Sequence, residues 1–78
     1  MYKLYTAIDH ITFTSDNFRT LWAANYIASD ISFEGHAVDI VDENTGEVMA
    51  SFTDHGTLSY RSPDFLSTVK EEALGALD

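Results

Sequence analysis

The 78-residue sequence has no cysteine, one proline and only four lysine or arginine residues. The lack of cysteine excludes disulfides, thiolate zinc sites and cysteine nucleophiles, and it favours an intracellular setting. No apolar stretch approaches the roughly 20 residues that cross a bilayer, and the N-terminus lacks the apolar region of a signal peptide. We therefore expect a cytoplasmic protein with no membrane partner.

Basic residues are scarce beside thirteen Asp and Glu residues, and the net charge is −9. Such a surface repels nucleic acids and anionic membranes. No Lys or Arg lies between Arg19 and Arg61, so the acids of this interval have no basic neighbour in sequence. These acids are Asp30, Glu34, Asp39, Asp42, Glu43, Glu47 and Asp54. We expect them to form a coherent negative field that contacts a partner protein.

The rest of the composition predicts one compact domain over residues 1–78. Apolar residues make up 45% of the chain and aromatic residues 13%, which is enough for a small core and argues against disorder. The sequence contains no repeat, linker or low-complexity segment. A chain of this size leaves little material for a deep catalytic cleft.

The N-terminal part of the chain predicts a strand followed by a helix. Residues 2–8 alternate in the manner of a strand, and residues 9–14 are expected to lead into the helix. Thr14 or Ser15 is the candidate N-cap, Asp16 lies in the first turn, and the helix ends near Ile31. The expected apolar face contains Phe18, Leu21, Ala24, Ile27, Ala28 and Ile31.

An aromatic row borders this helical face. Phe18, Trp22 and Tyr26 recur every four residues, so they share one side of the predicted helix. Such a row belongs to the edge of a core in one interpretation. In the other, Trp22 and Tyr26 stay partly exposed and form an aromatic interface for a partner.

The middle of the chain predicts a β-hairpin whose register follows from its apolar residues. Pairing Val38 with Phe52 and Ile40 with Ala50 places these side chains on one face. The loop is then residues 44–46, a length that places its last residue, a glycine, in the left-handed conformation.

The same register makes predictions for the outer face of the hairpin. Val41 would lie opposite Met49, and Glu43 would lie opposite Glu47. Two opposed carboxylates repel each other, which favours a binding role for the pair over simple solubility.

The C-terminal part predicts a turn at residues 54–56, a strand near 57–61 and a second helix. Ser62 is the candidate cap, Pro63 is the first helical residue, Asp64 complements the helix dipole, and the helix ends near Leu74. Its apolar stripe is expected to contain Leu66, Val69, Ala73 and Leu77. The predicted fold is α+β: a small single-layer, mostly antiparallel sheet with two helices on one face, in the order β-α-β-β-β-α.

No motif in the sequence predicts a metal site, a cofactor or catalysis. A calcium loop that begins at Asp42 fails, because its fifth position is Gly46 and its twelfth is Thr53. The chain has no nucleophile elbow and no phosphate-binding glycine loop. Its three histidines, which lack the spacing of a zinc motif, are His10, His36 and His55. We therefore expect no catalytic residue, no metal and no cofactor.

The acid cluster, together with the small size and the lack of cysteine, resembles the small acidic inhibitors encoded by bacteriophages, such as anti-CRISPR and anti-restriction proteins. The cluster comprises Asp39, Asp42, Glu43, Glu47 and Asp54. The resemblance implies an inhibitor in the host cytoplasm that occupies a basic, nucleic-acid-binding surface of a defence complex such as CRISPR–Cas. It also implies that these acids, with Asp30 and Glu34, make the contacts.

Three alternatives stay open at this point. Strict DNA mimics carry more acid, frequently on helices, so the chain could be an acidic inhibitor that does not copy phosphate spacing. The acids could also form only a solvated face. In the third alternative the protein is a structural or assembly adaptor, a monomer or homodimer that associates through an aromatic patch or a sheet edge.

Overall fold

The computed structural model describes residues 1–8, 11–61 and 63–76 of the chain. The elements are β1 (Tyr2–Ile8), β2 (Ile11–Thr14), α1 (Leu21–Phe33), β3 (Val38–Asp42), β4 (Val48–Phe52), β5 (Leu58–Tyr60) and α2 (Asp64–Ala76). All neighbouring strands are antiparallel, and they form one sheet in the order β2-β1-β3-β4-β5. The predicted α+β class is confirmed, although the sheet has one more strand than expected.

The additional strand is β2, which the sequence analysis treated as a lead into the first helix. It forms a hairpin with β1, in which Thr6 lies opposite Phe13 and Tyr5 lies opposite Thr14. Isoleucine, threonine and phenylalanine have high β propensity, but all four residues of β2 are exposed. The segment does alternate apolar and polar residues, but it is only four residues long, and its pairing with β1 was not considered in the sequence analysis.

The first helix begins five residues later than predicted. Thr20 is the N-cap, and its Oγ1 accepts a hydrogen bond of 3.1 Å from the backbone N–H of Ala23. A second oxygen comes from α2, because Glu72 Oε1 accepts from the N–H of Leu21 at 3.2 Å. The prediction of Thr14 or Ser15 as N-cap, with Asp16 in the first turn, is wrong.

Ser15 instead closes the end of the β1–β2 hairpin. Its hydroxyl accepts from the N–H of Leu4 at 2.8 Å, and its own N–H donates to the Leu4 carbonyl at 2.9 Å. The chain then rejoins β1 at Phe18, which exchanges two backbone hydrogen bonds with Tyr2. This long-range pairing delays the helix start, since Phe18 is held in extended backbone beside β1.

The predicted register of the β3–β4 hairpin is confirmed in its inner half. Val38 lies opposite Phe52 and Ile40 opposite Ala50, and all four side chains are buried. Gly46 has a φ of 76°, the left-handed conformation predicted for the last residue of the loop. The predicted loop of residues 44–46 is one residue too short, because the N–H of Asp42 donates to the carbonyl of Glu47 and residues 43–46 lie between them.

The outer half of this hairpin differs from the prediction because the register shifts after Ile40. Val41 lies opposite Val48 rather than Met49, and the N–H of Asp42 donates to the carbonyl of Glu47. The predicted opposition of Glu43 and Glu47 is therefore wrong. The Asp42 carboxylate accepts a hydrogen bond of 2.9 Å from the N–H of Asn44, which forms a local turn. Because this turn begins at Asp42, Glu43 lies in the loop and does not pair with β4.

One hydrophobic core lies between the sheet and the helices. α1 packs on β1, β3 and β4, and α2 packs along α1. The buried apolar residues are Leu4, Leu21, Ala24, Ala28, Val38, Ile40, Ala50, Phe52 and Phe65. In the described part of the chain, no helix has the length and apolar character needed to cross a membrane.

Three expectations about the helix faces are corrected by this core. Ile27 and Leu66 are exposed, whereas Phe65, which the predicted stripe of α2 omitted, is only 2% exposed. The predicted stripe began at Leu66. The ring of Phe65, the one aromatic residue of α2, instead stacks on Tyr60 of β5. The predicted Ser62 cap and the predicted packing of Leu77 fall outside the described residues, while Asp64 does lie in the first turn of α2.

Candidate interaction surface

The seven acids predicted to contact a partner lie in three places rather than in one field. Three of them surround the β3–β4 loop, three lie near the opposite end of these strands, and Asp39 lies between. The two ends are separated by the length of β3, five residues, which corresponds to about 13 Å between its terminal Cα atoms. Proximity in sequence therefore does not make these acids a single cluster.

At the loop end, tertiary contacts partly neutralise the acids. Glu43 forms an ion pair of 2.8 Å with Lys3 of β1, and its N–H donates to the carbonyl of Met1. The hydrogen bond and the charge of Glu43 raise the pKa of the Lys3 amine. Asp42 is partly buried and is used in the turn, so Glu47 is the only one of the three that is both exposed and without such a contact.

Asp42 also affects a neighbouring phenol. Burial, together with the negative charges of Asp42 and Glu72, raises the pKa of Tyr2. The phenol thus remains neutral in the fold at pH values where an unfolded tyrosine begins to ionise.

At the opposite end, α1 and the β4–β5 turn are joined. The buried hydroxyl of Ser32 donates to the Thr53 carbonyl, and the ring of Phe33 lies 3.6 Å from where a Cβ on Gly56 would stand. These contacts bring the last turn of α1 next to the turn that carries Asp54. The Asp54 carboxylate lies 3.1 Å from Nε2 of His55, and both side chains are exposed.

Two acids of this end continue a row of aromatic residues along α1. Trp22, Tyr26, Asp30 and Glu34 follow one another at four-residue spacing, so they form one ridge of about 18 Å on the helix surface. Glu34 is the C-cap, with φ −80° and ψ −1°, and so keeps the helical direction. We call these four residues the α1 ridge.

The aromatic half of the α1 ridge is accessible. Trp22 is 37% exposed and Tyr26 60% exposed, and their ring centroids lie 6.4 Å apart at an angle of 47°. Phe18 is not part of the row, because it precedes the helix and pairs with β1. Phe33, seven residues after Tyr26 and 77% exposed, adds a third ring that the sequence analysis missed, although its helical spacing could have revealed it.

Asp39 lies on the face of the sheet opposite to the core. It is exposed, and its Oδ1 accepts a 2.7 Å hydrogen bond from the hydroxyl of Ser51 on β4. A shallow depression of about 380 Å³ beside it is also lined by Ser59 and Arg61. None of the described residues that line this depression is a histidine.

Within residues 1–8, 11–61 and 63–76, no three His, Asp or Glu side chains are grouped so that they could hold a metal ion. His36 and His55 lie in this part of the chain, whereas His10 falls outside it. The most developed surface feature is therefore the α1 ridge, which joins two sets of residues that the sequence analysis had kept apart.

Comparisons with protein-family models, with curated proteins and with solved structures find no match to this chain.

Proposed function

We propose that this chain is a non-enzymatic acidic binding protein that occupies a basic, nucleic-acid-binding surface of a host defence complex such as CRISPR–Cas. It would act as a phage-encoded inhibitor in the host cytoplasm. The observation that carries the proposal is the α1 ridge, where exposed aromatic rings and carboxylates follow each other along one helix. Arginine and lysine side chains bind both groups, through cation–π contacts and through ion pairs.

The position of Asp30 and Glu34 on α1 supports a role in binding a partner over a role in stabilising the helix. A helix C-terminus carries a partial negative charge, so acids there oppose the helix dipole. Asp30 and Glu34 lie at this end, and the last turn of α1 contains no basic residue. The two charges thus act against local helix stability while they strengthen the negative potential that a basic partner would meet.

The remaining charge supports fast association with such a partner. Among the described residues, Glu43 is the only one of the seven predicted acids in an ion pair with a lysine or arginine. The net charge of −9 would steer a basic surface toward the protein, and this steering weakens as salt increases.

A panel of purified CRISPR–Cas and restriction complexes tests the proposal. We expect at least one complex to lose binding to its target DNA when this protein is added, and added DNA should compete with the protein for the complex. If no complex in the panel binds the protein even at low salt, the proposed inhibitor function is contradicted.

Charge reversal then locates the contact. The double variant Asp30→Lys, Glu34→Lys is compared with Asp16→Lys, Glu71→Lys, which changes the net charge equally at exposed positions that belong neither to the ridge nor to the seven predicted acids. We expect the ridge variant to lose at least about tenfold more affinity, or about 1.4 kcal/mol. Equal losses in the two variants would contradict a contact at the ridge.

The adaptor function remains a second candidate, favoured by the exposure of Trp22, Tyr26 and Phe33. An interface dominated by these rings would be little affected by salt, whereas an electrostatic interface would weaken steeply. A salt titration of binding by Trp22→Ala and Tyr26→Ala variants, beside the charge variants, separates the two functions.

A further inference from the structure

The strand β2 is an open edge of the sheet. Among the described residues it pairs only with β1, and all four of its residues are exposed, with Ile11 at 60% and Phe13 at 48%. Residues 11–15 include no charged residue and no proline. Natural edge strands are usually protected by such residues, by a bulge or by a covering element, because an edge offers unpaired backbone groups to another strand.

The hydrogen bonds between β1 and the chain beside it establish which groups of β2 point outward. Tyr2 and Leu4 direct their backbone polar groups toward this side, as their bonds to Phe18 and Ser15 show. Along an antiparallel strand the backbone N–H and C=O groups of successive residues point alternately to the two sides. The backbone groups of Thr6 therefore point toward β2, and those of Phe13, which lies opposite Thr6, point toward β1. The N–H and C=O groups of Thr12 and Thr14 therefore point to the free edge.

We infer that β2 pairs with β2 of a second copy of this chain, antiparallel and about a twofold axis at Phe13. Thr12 of one copy then lies opposite Thr14 of the other, and the two such pairs exchange four backbone hydrogen bonds. Phe13 lies opposite Phe13 of the second copy in a non-hydrogen-bonded position, where Cα atoms are about 4.5 Å apart. The two sheets become one continuous sheet of ten strands.

Two features favour a second copy at this edge. Residues 11–15 bring no charge of their own into the contact between two molecules that each carry −9, although the exposed Asp16 follows them. A strand is also the chemical complement of the free groups of Thr12 and Thr14. Because the pairing is symmetric, it closes at two copies and leaves no further β2 edge exposed.

The side chains of β2 add to the contact. The side chain of Thr6 is on the same face of β1 as the buried Leu4, and Phe13 lies opposite Thr6. Phe13 and Ile11, two residues before it, therefore lie on the core face of the sheet, outside the part that the helices bury. In the dimer this exposed apolar surface would be covered by its counterpart. The contact remains small, and we expect weak, concentration-dependent association.

Single cysteine variants test the register directly, because the chain has no cysteine of its own. In Phe13→Cys the two thiols lie across the twofold axis, at a separation that a disulfide spans. In Ile11→Cys, the matched control on the same side of β2, the two Cα atoms would be more than about 13 Å apart. We expect disulfide-linked dimers under mild oxidation from Phe13→Cys and not from Ile11→Cys. Equal crosslinking of the two variants would overturn the register.

A proline variant tests the backbone hydrogen bonds. Thr14→Pro removes an N–H that makes no bond to β1, and an edge strand tolerates this change, while Thr14→Val keeps the N–H. We expect wild type and Thr14→Val to dimerise in sedimentation experiments and Thr14→Pro to stay monomeric, with circular dichroism as the check on folding. If Thr14→Pro is unfolded, the crosslinking of Phe13→Cys compared with Ile11→Cys is the deciding measurement of the pairing.

A wild-type protein that is monomeric up to about 1 mM, the range of weak association, would contradict the dimer. None of these variants lies in the α1 ridge. Failure of the pairing would therefore leave the proposed binding function untouched, and failure of that function would leave the pairing to be judged by its own measurements.

Discussion

The two edges of the sheet differ in how they are protected. β5 has three residues, the ring of Tyr60 stacks on Phe65 of α2 with centroids 5.7 Å apart, and Arg61 and Pro63 follow in the chain. β2 has four exposed residues and no charge or proline. Both strands end the same sheet, so the difference lies in their surroundings and not in strand order.

The difference teaches where a second chain can add to the sheet. A short strand that is flanked by an arginine and a proline offers little to another backbone, and a helix residue packs on its aromatic side chain. On β2 the backbone N–H and C=O groups of Thr12 and Thr14 point to the free edge. β5 is thus the better protected edge, and β2 is the edge at which we infer pairing with a second copy.

The largest expected effect comes from removing the residue that packs against β5. Phe65→Ala should lower the free energy of unfolding by about 3–5 kcal/mol, because a fully buried phenyl ring is lost and a cavity remains. Chemical denaturation measures this loss. The neighbouring exposed residue is the control: Leu66→Ala should change stability by less than about 1 kcal/mol. Similar losses in both variants would contradict the observed packing of α2.

The anchor between α1 and the β4–β5 turn should contribute less. Ser32→Ala removes the hydroxyl that donates to the Thr53 carbonyl and leaves that carbonyl only the 3.3 Å hydrogen bond from the N–H of Gly56, which costs about 1 kcal/mol. Thermal or denaturant unfolding gives the value. Ser59→Ala, an exposed serine of β5, should be close to neutral, and a comparable loss there would show that the buried hydrogen bond has no particular role.

Giving β2 the protection of β5 should abolish the difference between the edges. Thr12→Glu places a charge at the free edge, close to the same glutamate of a second copy and added to a net charge of −9, and should weaken self-association at least about tenfold. Because the side chain is exposed, stability should be nearly unchanged. Thr12→Val is the control that keeps the edge uncharged. Equal self-association of the two variants would contradict the comparison of the two edges.

The smallest effect is expected at alkaline pH and comes from Tyr2 of β1, which pairs with Phe18. Burial and the charges of Asp42 and Glu72 raise the pKa of Tyr2, so the fold holds the proton more tightly than the unfolded chain does. This contribution to stability is present below the unfolded value of 10.0 and is lost as pH rises through the folded value. Lys3, whose pKa is also raised, acts in the same direction.

Tyr2→Phe removes the contribution of the phenol. Its denaturation midpoint should fall less than that of the wild type as pH rises above about 10. Tyr26→Phe, on the exposed α1 ridge, should follow the wild type. If all three proteins lose stability in parallel, the environment of Tyr2 has no influence on alkaline unfolding.

Local patterns in the sequence predicted the parts of the fold that depend on near neighbours. The parity of Val38, Ile40, Ala50 and Phe52 determined the inner register of the β3–β4 hairpin, and Gly46 marked its left-handed residue. The presence of α2 and the place of Asp64 in its first turn were also predicted, although the helix begins one residue after Pro63. The partner-binding role of the acids remains a prediction, since nothing in the fold alone tests it.

Sequence alone thus determined the α+β class, the central hairpin and the strongly negative charge. Only the tertiary structure decided that residues 11–14 form an edge strand, that Phe65 is buried, and that Lys3 neutralises Glu43. The physical reason is long-range pairing: β1 lies between β2 and β3, and this arrangement determines which groups meet and which edge stays open. Periodicity describes one element at a time and contains no information on its neighbours in space.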